Sequence, residues 1–498
     1  MRSLRAALLV LSLSVCFFIT SLAQTQAPTP PEKSPAAASP SPLRTIKVQT
    51  LLQQGDLDGA YDEADAALKA FPDSAAANLL MGQVLFRRGD IAQANESIQK
   101  TLKLDPNNAQ AWLALSRIAE VVSLRKKAVA CIDKAHSIAP DSLDVMVAWA
   151  NTRPTRAERI AALQQFVQAE KKRSNAEPAW AVKRIEDLKT LGDIETDALV
   201  SPVAHYEVPI DYILRDPTHL QGWGVKVNIG SCKSVKLMID TGSPVILIGN
   251  SLAEKCGVKK LYTGFITGLG SKPPLGVYTG LAEHFQVGPV EFKNVLIDVE
   301  ERTPVGDEAG IIGPSLLASF LLNLNLNDYK LSLDPLPAIP GDDGKPGPKD
   351  RYVSPEMASY AKVFEVQSHL MIPTKVGNDT KPVLFAIDTG SGNNLIAKEY
   401  VAKLEKLTEE RHITMKGVQG EAAKVFSADD LTLQFAGFRQ MNQRLIAQNL
   451  AGLGGDVELS GLLGLPILRW FTLHIDYRDG LVGFEYHEPK GVNTDRLR

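Results

Sequence analysis

The chain has 498 residues, which is long enough for several domains, and its 54 Lys and Arg residues nearly balance its 57 Asp and Glu residues, for a net charge of -3. This balance gives no basic footprint for a nucleic acid partner. The eight histidines and four cysteines show no metal-ligand spacing, and the sequence has no phosphate-binding glycine loop, so it predicts neither a metal nor a cofactor.

An apolar run near the amino terminus predicts a secretory signal peptide over residues 1–23. Arg2 and Arg5 precede the run, which covers residues 6–22, and the small residues Ser21-Leu22-Ala23 end it. An uncleaved anchor is the alternative, because the run is nearly long enough to span a membrane. We therefore expect a secreted or periplasmic protein with no membrane span once the signal is removed.

A helical repeat region follows a disordered linker. Residues 24–42 are rich in Pro, Ala and Ser, and such a composition cannot bury a core. Beyond them Pro72, Pro106 and Pro140 are evenly spaced at the period of the tetratricopeptide repeat, which is 34 positions. The same step relates Ala60, Ala94 and Ala128, and also the turn pairs Gly55-Asp56 and Gly89-Asp90.

Three repeats are predicted between residues 43 and 141, within an all-α solenoid domain over residues 43–198. The third repeat lacks the Gly-Asp turn and has Ser116 where the second has Gly82. Apolar residues at helical spacing predict capping helices over residues 156–172 and 178–191. Stacked repeats leave a concave face that commonly binds peptide, so we expect a protein partner there, and the alternative is that the array is a spacer.

The rest of the chain is organised around a stretch that occurs twice. Residues 236–243 read Lys-Leu-Met-Ile-Asp-Thr-Gly-Ser, and residues 384–391, 148 positions later, read Leu-Phe-Ala-Ile-Asp-Thr-Gly-Ser. Each copy is an apolar strand that runs into a polar turn with a glycine. A single copy would read as an ordinary turn, because Asp, Thr and Gly are common turn residues. Further correspondences are Ile311-Ile312-Gly313 with Leu462-Leu463-Gly464, and Asp328-Tyr329 with Asp476-Tyr477.

In these residues the chain resembles the aspartic proteases, most closely their bacterial retropepsin-like branch, over about residues 203–488. The resemblance implies a mainly-β bilobal region with barrel-like lobes, so the expected fold class is a multidomain chain in which an all-α solenoid precedes two β lobes. The first lobe would cover residues 199–335 and the second residues 351–488, with a linker over residues 336–350. It also implies that Asp240 and Asp388 are the catalytic pair.

Two carboxylates held together cannot both ionise at low cost, so such a pair shares one proton. One carboxylate can then activate a water molecule as a base while the other protonates the scissile carbonyl oxygen. The predicted reaction is endopeptidase hydrolysis of a polypeptide substrate. The alternative is a non-catalytic peptide-binding scaffold that keeps only a degenerate cleft.

The resemblance assigns supporting roles to other residues. Thr241 and Thr389 would hold the two loops together through hydroxyl hydrogen bonds, and Ser243 and Ser391 would orient the outer carboxylate oxygens. A Gly-rich stretch from residue 265 to 285 is the candidate flap over the substrate, and residues 416–420 occupy the corresponding place in the second lobe. The remaining candidates are Gly242 and Gly390, which would leave room for substrate, Gly313 and Gly464 behind the loops, and Gly268, Gly270 and Tyr278 in the flap, where Tyr278 is either a flap tyrosine or an ordinary strand tyrosine.

Two lobes joined by a Pro- and Gly-rich linker predict an active site within a single chain. If the array only recruits substrate, a chain beginning near Leu199 should still cleave a short peptide. Cys232 and Cys256 flank the first Asp loop. They either pair in an oxidising compartment or stay as free buried thiols, and the free thiols are the default expectation.

Overall fold

The computed structural model describes residues 39–216, 219–270, 272–300, 309–340, 350–367, 369–417, 420–422 and 424–488. The predicted signal peptide, most of the amino-terminal linker and most of the interlobe linker lie outside the described residues. A helical region over residues 42–191 precedes a mainly-β region, which confirms the predicted fold class. The helices in the described part of the chain are all too short or too polar to span a bilayer.

Helices α1 to α6 form three antiparallel pairs that recur at a step of 34 positions. Polar side chains cap several of them, as the Asp56 carboxylate accepts a hydrogen bond from Gly59 N at 2.9 Å. The small residues Ala60 and Ala94 are fully buried, so paired helices approach closely. The helices are α1 (Pro42–Gln54), α2 (Leu57–Ala70), α3 (Ala75–Arg87), α4 (Ile91–Leu104), α5 (Ala109–Val121) and α6 (Arg125–Ile138).

The turn inside each repeat is built on a left-handed residue at the same step. Gly55 and Gly89 have φ values of 77° and 81°, and Ser123 takes the third place with a φ of 59°. Ser123 N donates to the Glu120 carbonyl, as Gly89 N donates to the Phe86 carbonyl. The third repeat therefore keeps the turn geometry without the Gly-Asp pair.

The start of α6 is capped from a distant part of the sequence. Leu124 stands where the earlier repeats have aspartate, and it provides no side-chain cap. Instead the Asp350 carboxylate accepts hydrogen bonds from Lys126 N and Lys127 N at 2.8 and 2.7 Å. The residue that ends the interlobe linker is thereby fixed to the third repeat.

Three further helices extend the stack. Two of them coincide with the predicted capping helices, and Leu163, Phe166 and Val167 are buried as their periodicity indicates. Thr155 and Glu158 form a capping box at the start of the longer one. A short helix ahead of them has no counterpart in the prediction. The three are α7 (Leu143–Asn151), α8 (Arg156–Ser174) and α9 (Ala179–Leu191).

The first lobe consists mainly of antiparallel hairpins. β4 leads into the first Asp loop, as predicted, and pairs in parallel with β9, which sets Ile312 beside Ile239. A 3-10 turn (Pro314–Leu317) follows β9. The elements are β1 (Ala198–Leu199), β2 (Tyr206–Asp216), β3 (His219–Ile229), β4 (Cys232–Ile239), β5 (Ile246–Gly249), α10 (Asn250–Cys256), β6 (Lys259–Ile266), β7 (Leu275–Val287), β8 (Val290–Glu300), β9 (Gly310–Ile312), β10 (Phe320–Asn325) and β11 (Lys330–Pro335).

The second lobe repeats this arrangement 148 positions later. β15 leads into the second Asp loop and pairs in parallel with β22, which sets Leu463 beside Ile387. A 3-10 turn (Pro355–Met357) precedes β12. The elements are β12 (Ala361–Lys362), β13 (Phe364–Val366), β14 (His369–Val376), β15 (Val383–Ile387), β16 (Leu395–Ala397), α11 (Lys398–Val401), β17 (Thr408–Glu409), β18 (Lys416–Gly417), β19 (Gly420–Glu421), β20 (Phe426–Phe435), β21 (Phe438–Gln448), β22 (Gly461–Leu463), α12 (Leu465–Leu468), β23 (Phe471–Asp476) and β24 (Leu481–Tyr486).

One sheet extends from the second lobe into the first. Its strands in this region follow the order β12-β24-β23-β10-β11-β2. The seam is the antiparallel pair β10 and β23, where Leu322 lies opposite Ile475. Backbone hydrogen bonds therefore join the two lobes within one molecule. Both Asp loops consequently belong to the same chain's fold.

One apolar core runs through both lobes, and a second core is shared by the helical array and the second lobe. The two faces of β15 belong to different cores. Phe385 and Ile387 lie in the first core, whereas Leu384 and Ala386 lie in the second. Both faces of this strand are thus buried. The array supplies to the shared core, among others, Leu80, Met81, Val84, Leu85, Phe86, Ile118 and Val121.

Polar contacts with the second lobe flank this shared core. They are made along the edge of the array where the turns within the repeats lie. The Arg87 carbonyl accepts a hydrogen bond from Glu458 N at 2.7 Å, and Arg87 Nη1 donates to the Gly455 carbonyl at 3.0 Å. One repeat further along, the Arg125 guanidinium pairs with the Glu365 carboxylate at 2.9 Å. The array is therefore an integral part of the fold of the second lobe.

The far end of the array contacts the first lobe instead. α9 packs against β6, and the Lys183 ammonium lies 5.4 Å from the centroid of the Tyr262 ring. The stack of helices thus contacts the second lobe through its repeats and the first lobe through its last helix.

Candidate active site

The two Asp loops interlock through reciprocal threonine hydrogen bonds. Thr241 Oγ1 accepts from Thr389 N at 2.9 Å and donates to the Ile387 carbonyl at 2.8 Å. Thr389 Oγ1 accepts from Thr241 N at 3.0 Å and donates to the Ile239 carbonyl at 2.8 Å. Both threonines are buried and their hydroxyls each donate and accept, so each loop holds the other in a fixed position.

The interlocked loops bring Asp240 and Asp388 together at their centre. The backbone fixes each carboxylate, because Gly242 N donates to Asp240 Oδ1 at 2.9 Å and Gly390 N donates to Asp388 Oδ1 at 2.9 Å. Ser391 N adds a further bond to Asp388 Oδ1 at 3.0 Å. The two carboxyl groups also hydrogen-bond each other, so they form one unit supplied equally by the two lobes.

Burial and mutual contact change the protonation of this pair. Burial, the Asp388 charge and the hydrogen bond with Asp388 raise the pKa of Asp240 well above the ordinary value of 3.8. Burial likewise raises the pKa of Asp388, although the hydrogen bond from Asp240 opposes the rise. The pair therefore keeps one proton at a pH at which a free aspartate is ionised.

Glycine is required at the third position of each loop because the opposite carboxyl lies against it. A Cβ added at Gly242 would lie 2.6 Å from Asp388 Cγ, and one at Gly390 would lie 2.4 Å from Asp240 Cγ. These separations are far below van der Waals contact. The close approach of the carboxyls thus depends on the missing side chains.

Two further glycines lie behind the loops. A Cβ at Gly313 would lie 2.2 Å from the Ser243 carbonyl oxygen, and one at Gly464 would lie 2.2 Å from the Asn393 carbonyl oxygen. Gly464 N also donates to Asn394 Oδ1 at 3.0 Å. These glycines let the β9 and β22 segments pack directly against the loop backbones.

The serine hydroxyls do not take the role that the resemblance implies. Ser243 Oγ donates to the Val245 carbonyl at 3.2 Å, and Ser391 Oγ donates to the Asn393 carbonyl at 2.7 Å. Each hydroxyl therefore closes its own loop, because the following backbone turns back within its reach. The expectation that the hydroxyls orient the carboxylates is wrong for this structure.

The predicted flap stretch forms the β6–β7 hairpin of the first lobe. Its tip carries Gly268 and Gly270, and Gly270 has a φ of 140°. The tip meets the corresponding hairpin of the second lobe, because a Cβ at Gly417 would lie 2.3 Å from the Leu269 carbonyl oxygen. Residues 418 and 419 of that second hairpin lie outside the described part of the chain.

Tyr278 lies on the stem of the hairpin rather than at its tip. It pairs with Thr263 across the hairpin, and its hydroxyl donates to Asn250 Oδ1 at 2.9 Å. The Lys260 ammonium lies 4.6 Å from the centroid of its ring. The tyrosine therefore anchors the stem to the start of α10.

Cys232 and Cys256 form a disulfide, so the default expectation of free thiols is wrong for this pair. It ties the start of β4 to the end of α10, on either side of the first Asp loop. Cys131 is a free, buried cysteine. Sequence spacing alone could not distinguish pairing from two thiols, because the Cα atoms come within 4.9 Å only in the folded lobe.

Sequence reasoning did not identify His369, whose imidazole lies near the backbone of Gly242 in the other lobe. Burial lowers the pKa of this imidazole, and the Gly242 backbone opposes that change. The residue has no motif around it, and its partner is 127 positions away in the sequence. Only the fold brings the two together.

Comparisons with known proteins agree with the two parts of the fold. Residues 225–316 match the family model described as aspartyl protease, and residues 51–118 match the one described as tetratricopeptide repeat. No curated protein matches the chain. Similar solved structures include "Crystal structure of MamA", with 18% identity over 27% of this chain and 80% of that chain at a TM-score of 0.23. Another is a mutant of the Thermobaculum terrenum O-GlcNAc transferase, with 16% identity over 26% of this chain and 27% of that chain at a TM-score of 0.22.

Proposed function

We propose that this chain, which combines tetratricopeptide repeats with an aspartyl protease region, is an endopeptidase whose active site is formed by Asp240 and Asp388 of a single molecule. The observation that carries the proposal is the pair of carboxyls in contact between two loops that lock each other through Thr241 and Thr389. A turn that served only the fold would not need two carboxyls to share a proton.

The proposed reaction uses the two carboxyls in complementary roles. The ionised carboxylate takes a proton from a water molecule as its oxygen attacks the carbonyl carbon of the scissile peptide bond. The protonated carboxyl donates its proton to the carbonyl oxygen, which gives a neutral tetrahedral diol. Collapse of the diol then moves a proton to the leaving nitrogen, so the peptide bond breaks without a covalent enzyme intermediate.

The test is cleavage of a denatured protein mixture across pH by the purified chain and by two variants, Asp240→Asn and Asp388→Asn. Each variant removes one member of a coupled acid and base, so we expect each to lower kcat by about 10³-fold or more. A pepstatin-type transition-state mimic should inhibit the wild type. Near-normal cleavage by either variant would contradict the proposal, and mixing the two variants should not restore activity.

We also propose that the array recruits a polypeptide partner or substrate on its concave side. Support comes from a groove of about 620 Å³ lined by α5, α7, α8 and α9 and, at one point, by Asp456 of the second lobe. This groove stays open although the second lobe covers the turn edge of the array. Trp180 in this groove is 53% exposed. Aromatic side chains of this kind are frequent binding anchors.

Trp180→Ala tests recruitment without touching the cleft. The variant should cleave a short unstructured peptide at the wild-type rate but process its natural target more slowly, because recruitment raises the local substrate concentration. Tyr486 is an equally exposed aromatic residue that lies outside the groove, so Tyr486→Ala is a matched surface control. Equal processing of the target by Trp180→Ala and the wild type would contradict recruitment at this groove.

The proposed location is outside the cytoplasm, in the periplasm or the medium. Support comes from the apolar run at residues 6–22 and from the Cys232–Cys256 disulfide, because disulfides persist mainly in oxidising compartments. Cell fractionation with mass spectrometry of the mature amino terminus tests this. A protein that stays in the cytoplasm with residue 1 intact would contradict it.

A further inference from the structure

A cavity of about 270 Å³ lies where the turns of the array meet the second lobe. The α1–α2 turn and the α3–α4 turn line one side of it. The β14–β15 turn, α11 and the segment just before β22 line the other side. One water molecule needs only about 10–15 Å³, so the cavity has room for a small organic molecule.

The lining of this cavity is acidic. It contains six carboxylates but only three basic side chains. Two of the basic groups, Arg88 and Lys403, are both paired with the Asp58 carboxylate. The third, Lys381, is exposed. The excess of carboxylates favours a positively charged ligand.

Asp90 has the same place in its repeat as Asp56, but the two carboxylates have different partners. Asp56 caps α2, whereas the Asp90 side chain forms no capping hydrogen bond at the start of α4. Asp90 lines the cavity instead, and its ion pair there is with Arg88 Nε at 3.9 Å. That distance is too long for a hydrogen bond. The Asp90 oxygens therefore keep unused acceptor capacity on the array side of the cavity.

Two polar side chains on the second-lobe side also lack partners. Ser460 is 3% exposed, and its N–H and carbonyl are bonded to the backbones of Leu384 and Ala397. Its hydroxyl forms no hydrogen bond with any residue that the structure describes, and the same holds for the partly buried carboxylate of Glu458. Buried polar groups are normally hydrogen-bonded, so these two indicate a partner that is not part of the chain.

The electrostatics of the two carboxyls agree with a missing positive partner. Burial raises the pKa of the Asp90 carboxyl and that of the Glu458 carboxyl. At Asp90 the charges of Lys381 and Arg88 oppose this rise without cancelling it. The basic side chains of the protein thus compensate these carboxylates only in part. A bound cation would stabilise their ionised forms.

The spacing of these groups indicates an organic cation rather than a metal ion. The described residues contain no group of three His, Cys, Asp or Glu side chains that could hold a metal ion. A longer ligand with several N–H donors can reach carboxylates that are too dispersed to coordinate one small ion. The Tyr400 ring also lines the cavity, and an aromatic ring beside carboxylates is a favourable surface for an ammonium or guanidinium group.

We propose that this cavity is a binding site for an organic cation, whose ammonium or guanidinium groups bridge Asp90 of the array and Glu458 and Ser460 of the second lobe. The inference goes beyond the proposed endopeptidase function, which uses none of these groups. A ligand bonded to both sides of the cavity stabilises the packing of the array on the second lobe.

The experiment uses 1,4-diaminobutane as the probe and 1,4-butanediol, a neutral molecule of the same chain length, as its control. Calorimetric titration of the purified chain at neutral pH should give a Kd of about 1 mM or tighter for the diamine and no binding of the diol. The diamine should also raise the melting temperature, because it binds the folded state. A peptide with blocked ends and one lysine is the second probe. Tighter binding of the diamine identifies a free amine as the source of the cation, and tighter binding of the peptide identifies a polypeptide side chain.

Two variants test the proposed contacts. Asp90→Asn and Glu458→Gln each remove one charge at nearly constant shape, and we expect each to weaken binding of the diamine about tenfold. Glu283→Gln, at an exposed position on β7 outside the cavity, is the matched control and should bind as the wild type does. If either variant does not fold by circular dichroism, Ser460→Ala replaces it and should weaken binding severalfold.

The outcomes are independent of the proposed function, because binding is measured without cleavage. No measurable binding of either probe to the folded wild type would overturn the inference. Equal binding by the wild type and all variants would also overturn it, because the amine would then be held by the acidic surface in general.

Discussion

The two lobes carry the same loop on strands with different outer faces. In the first lobe β4 has Lys236, whose ammonium donates to the Tyr212 carbonyl at 3.0 Å. In the second lobe the equivalent position is Leu384, which is 3% exposed and packs under the array at Gly89. A strand with a lysine on one face needs a single apolar core, whereas β15 needs one on each side. The two lobes thus share the loop sequence, whereas the residues on the outer face of β4 and β15 differ according to what each lobe packs against.

Removing the array should break the second lobe and spare much of the first. A chain that begins near Leu199 would expose the Leu384 face of β15 to water, and the apolar surface should cause misfolding or aggregation. We expect cleavage of a short peptide to fall below about 1% of that of the whole chain, since both lobes are needed for the carboxyl pair. This replaces the expectation that such a chain stays active.

The measurement combines activity with circular dichroism and size-exclusion chromatography of the shortened chain. A monomeric, folded and active chain from residue 199 onward would show that the shared core is dispensable. The reference is the chain beginning at residue 39, which keeps all described helices and should be fully active.

Single substitutions at equivalent positions sharpen the comparison. Leu384→Ala removes a buried side chain from the shared core and should lower the free energy of unfolding by about 2–5 kcal/mol. Lys236→Ala removes a partly exposed side chain that donates to the Tyr212 carbonyl, and it should cost about 1 kcal/mol. Denaturant unfolding of both variants measures the difference. Equal losses would mean that the two outer faces are equivalent after all.

The disulfide should matter for the first lobe alone. Cys232 and Cys256 are 24 residues apart in sequence, and a bridge over a loop of this size contributes about 2–4 kcal/mol. The double variant Cys232→Ser with Cys256→Ser should unfold at lower denaturant concentration than the wild type. Reductant should lower the stability of the wild type and leave that of the double variant unchanged. A wild type insensitive to reductant would contradict this.

A smaller, pH-dependent difference is expected at the second duplicated pair of residues. Asp476 is fully buried, and burial raises its pKa to about 6, whereas Asp328 in the first lobe is exposed. Since the folded pKa lies above the ordinary 3.8, the protonated form is favoured by folding. Its contribution to stability is complete below about pH 4 and is lost as the pH rises through about 6.

Asp476→Asn removes this loss, because the amide stays neutral and can still accept from Asp479 N. The melting temperature of the variant minus that of the wild type should therefore increase by a few degrees as the pH rises from about 4 to about 7. Parallel curves for Asp476→Asn and the wild type would contradict the assignment.

Local patterns predicted the parts of the molecule that depend on local geometry. The duplicated stretch identified Asp240 and Asp388, because a strand that ends in a glycine turn needs particular residues in a short window. The repeat period identified the paired helices in the same way. Helix α7 lacks such a landmark, since it is short and no glycine turn follows it before α8.

The remaining features depend on packing between distant segments. Asp350 as the cap of α6 and His369 beside Gly242 join residues more than 100 positions apart, and neither has a sequence motif. The sequence does indicate that the array packs on β15, because Leu384 occupies the position that Lys236 has in the first copy. A single leucine is compatible with many neighbours, so the pattern indicates an apolar partner without identifying it.

The contacts of the array with both lobes set a limit on how such a chain can change its length. Repeats one to three contact the second lobe, and α9 contacts β6 of the first lobe. The number of helices between these two contacts must therefore match the distance between the two lobe surfaces. An extra repeat unit between α6 and α7 would carry α9 away from β6. A unit added before α1 would only lengthen the end at which Leu43 and Ile46 are already exposed. Gain of repeats in this architecture should therefore be tolerated at the amino-terminal end alone.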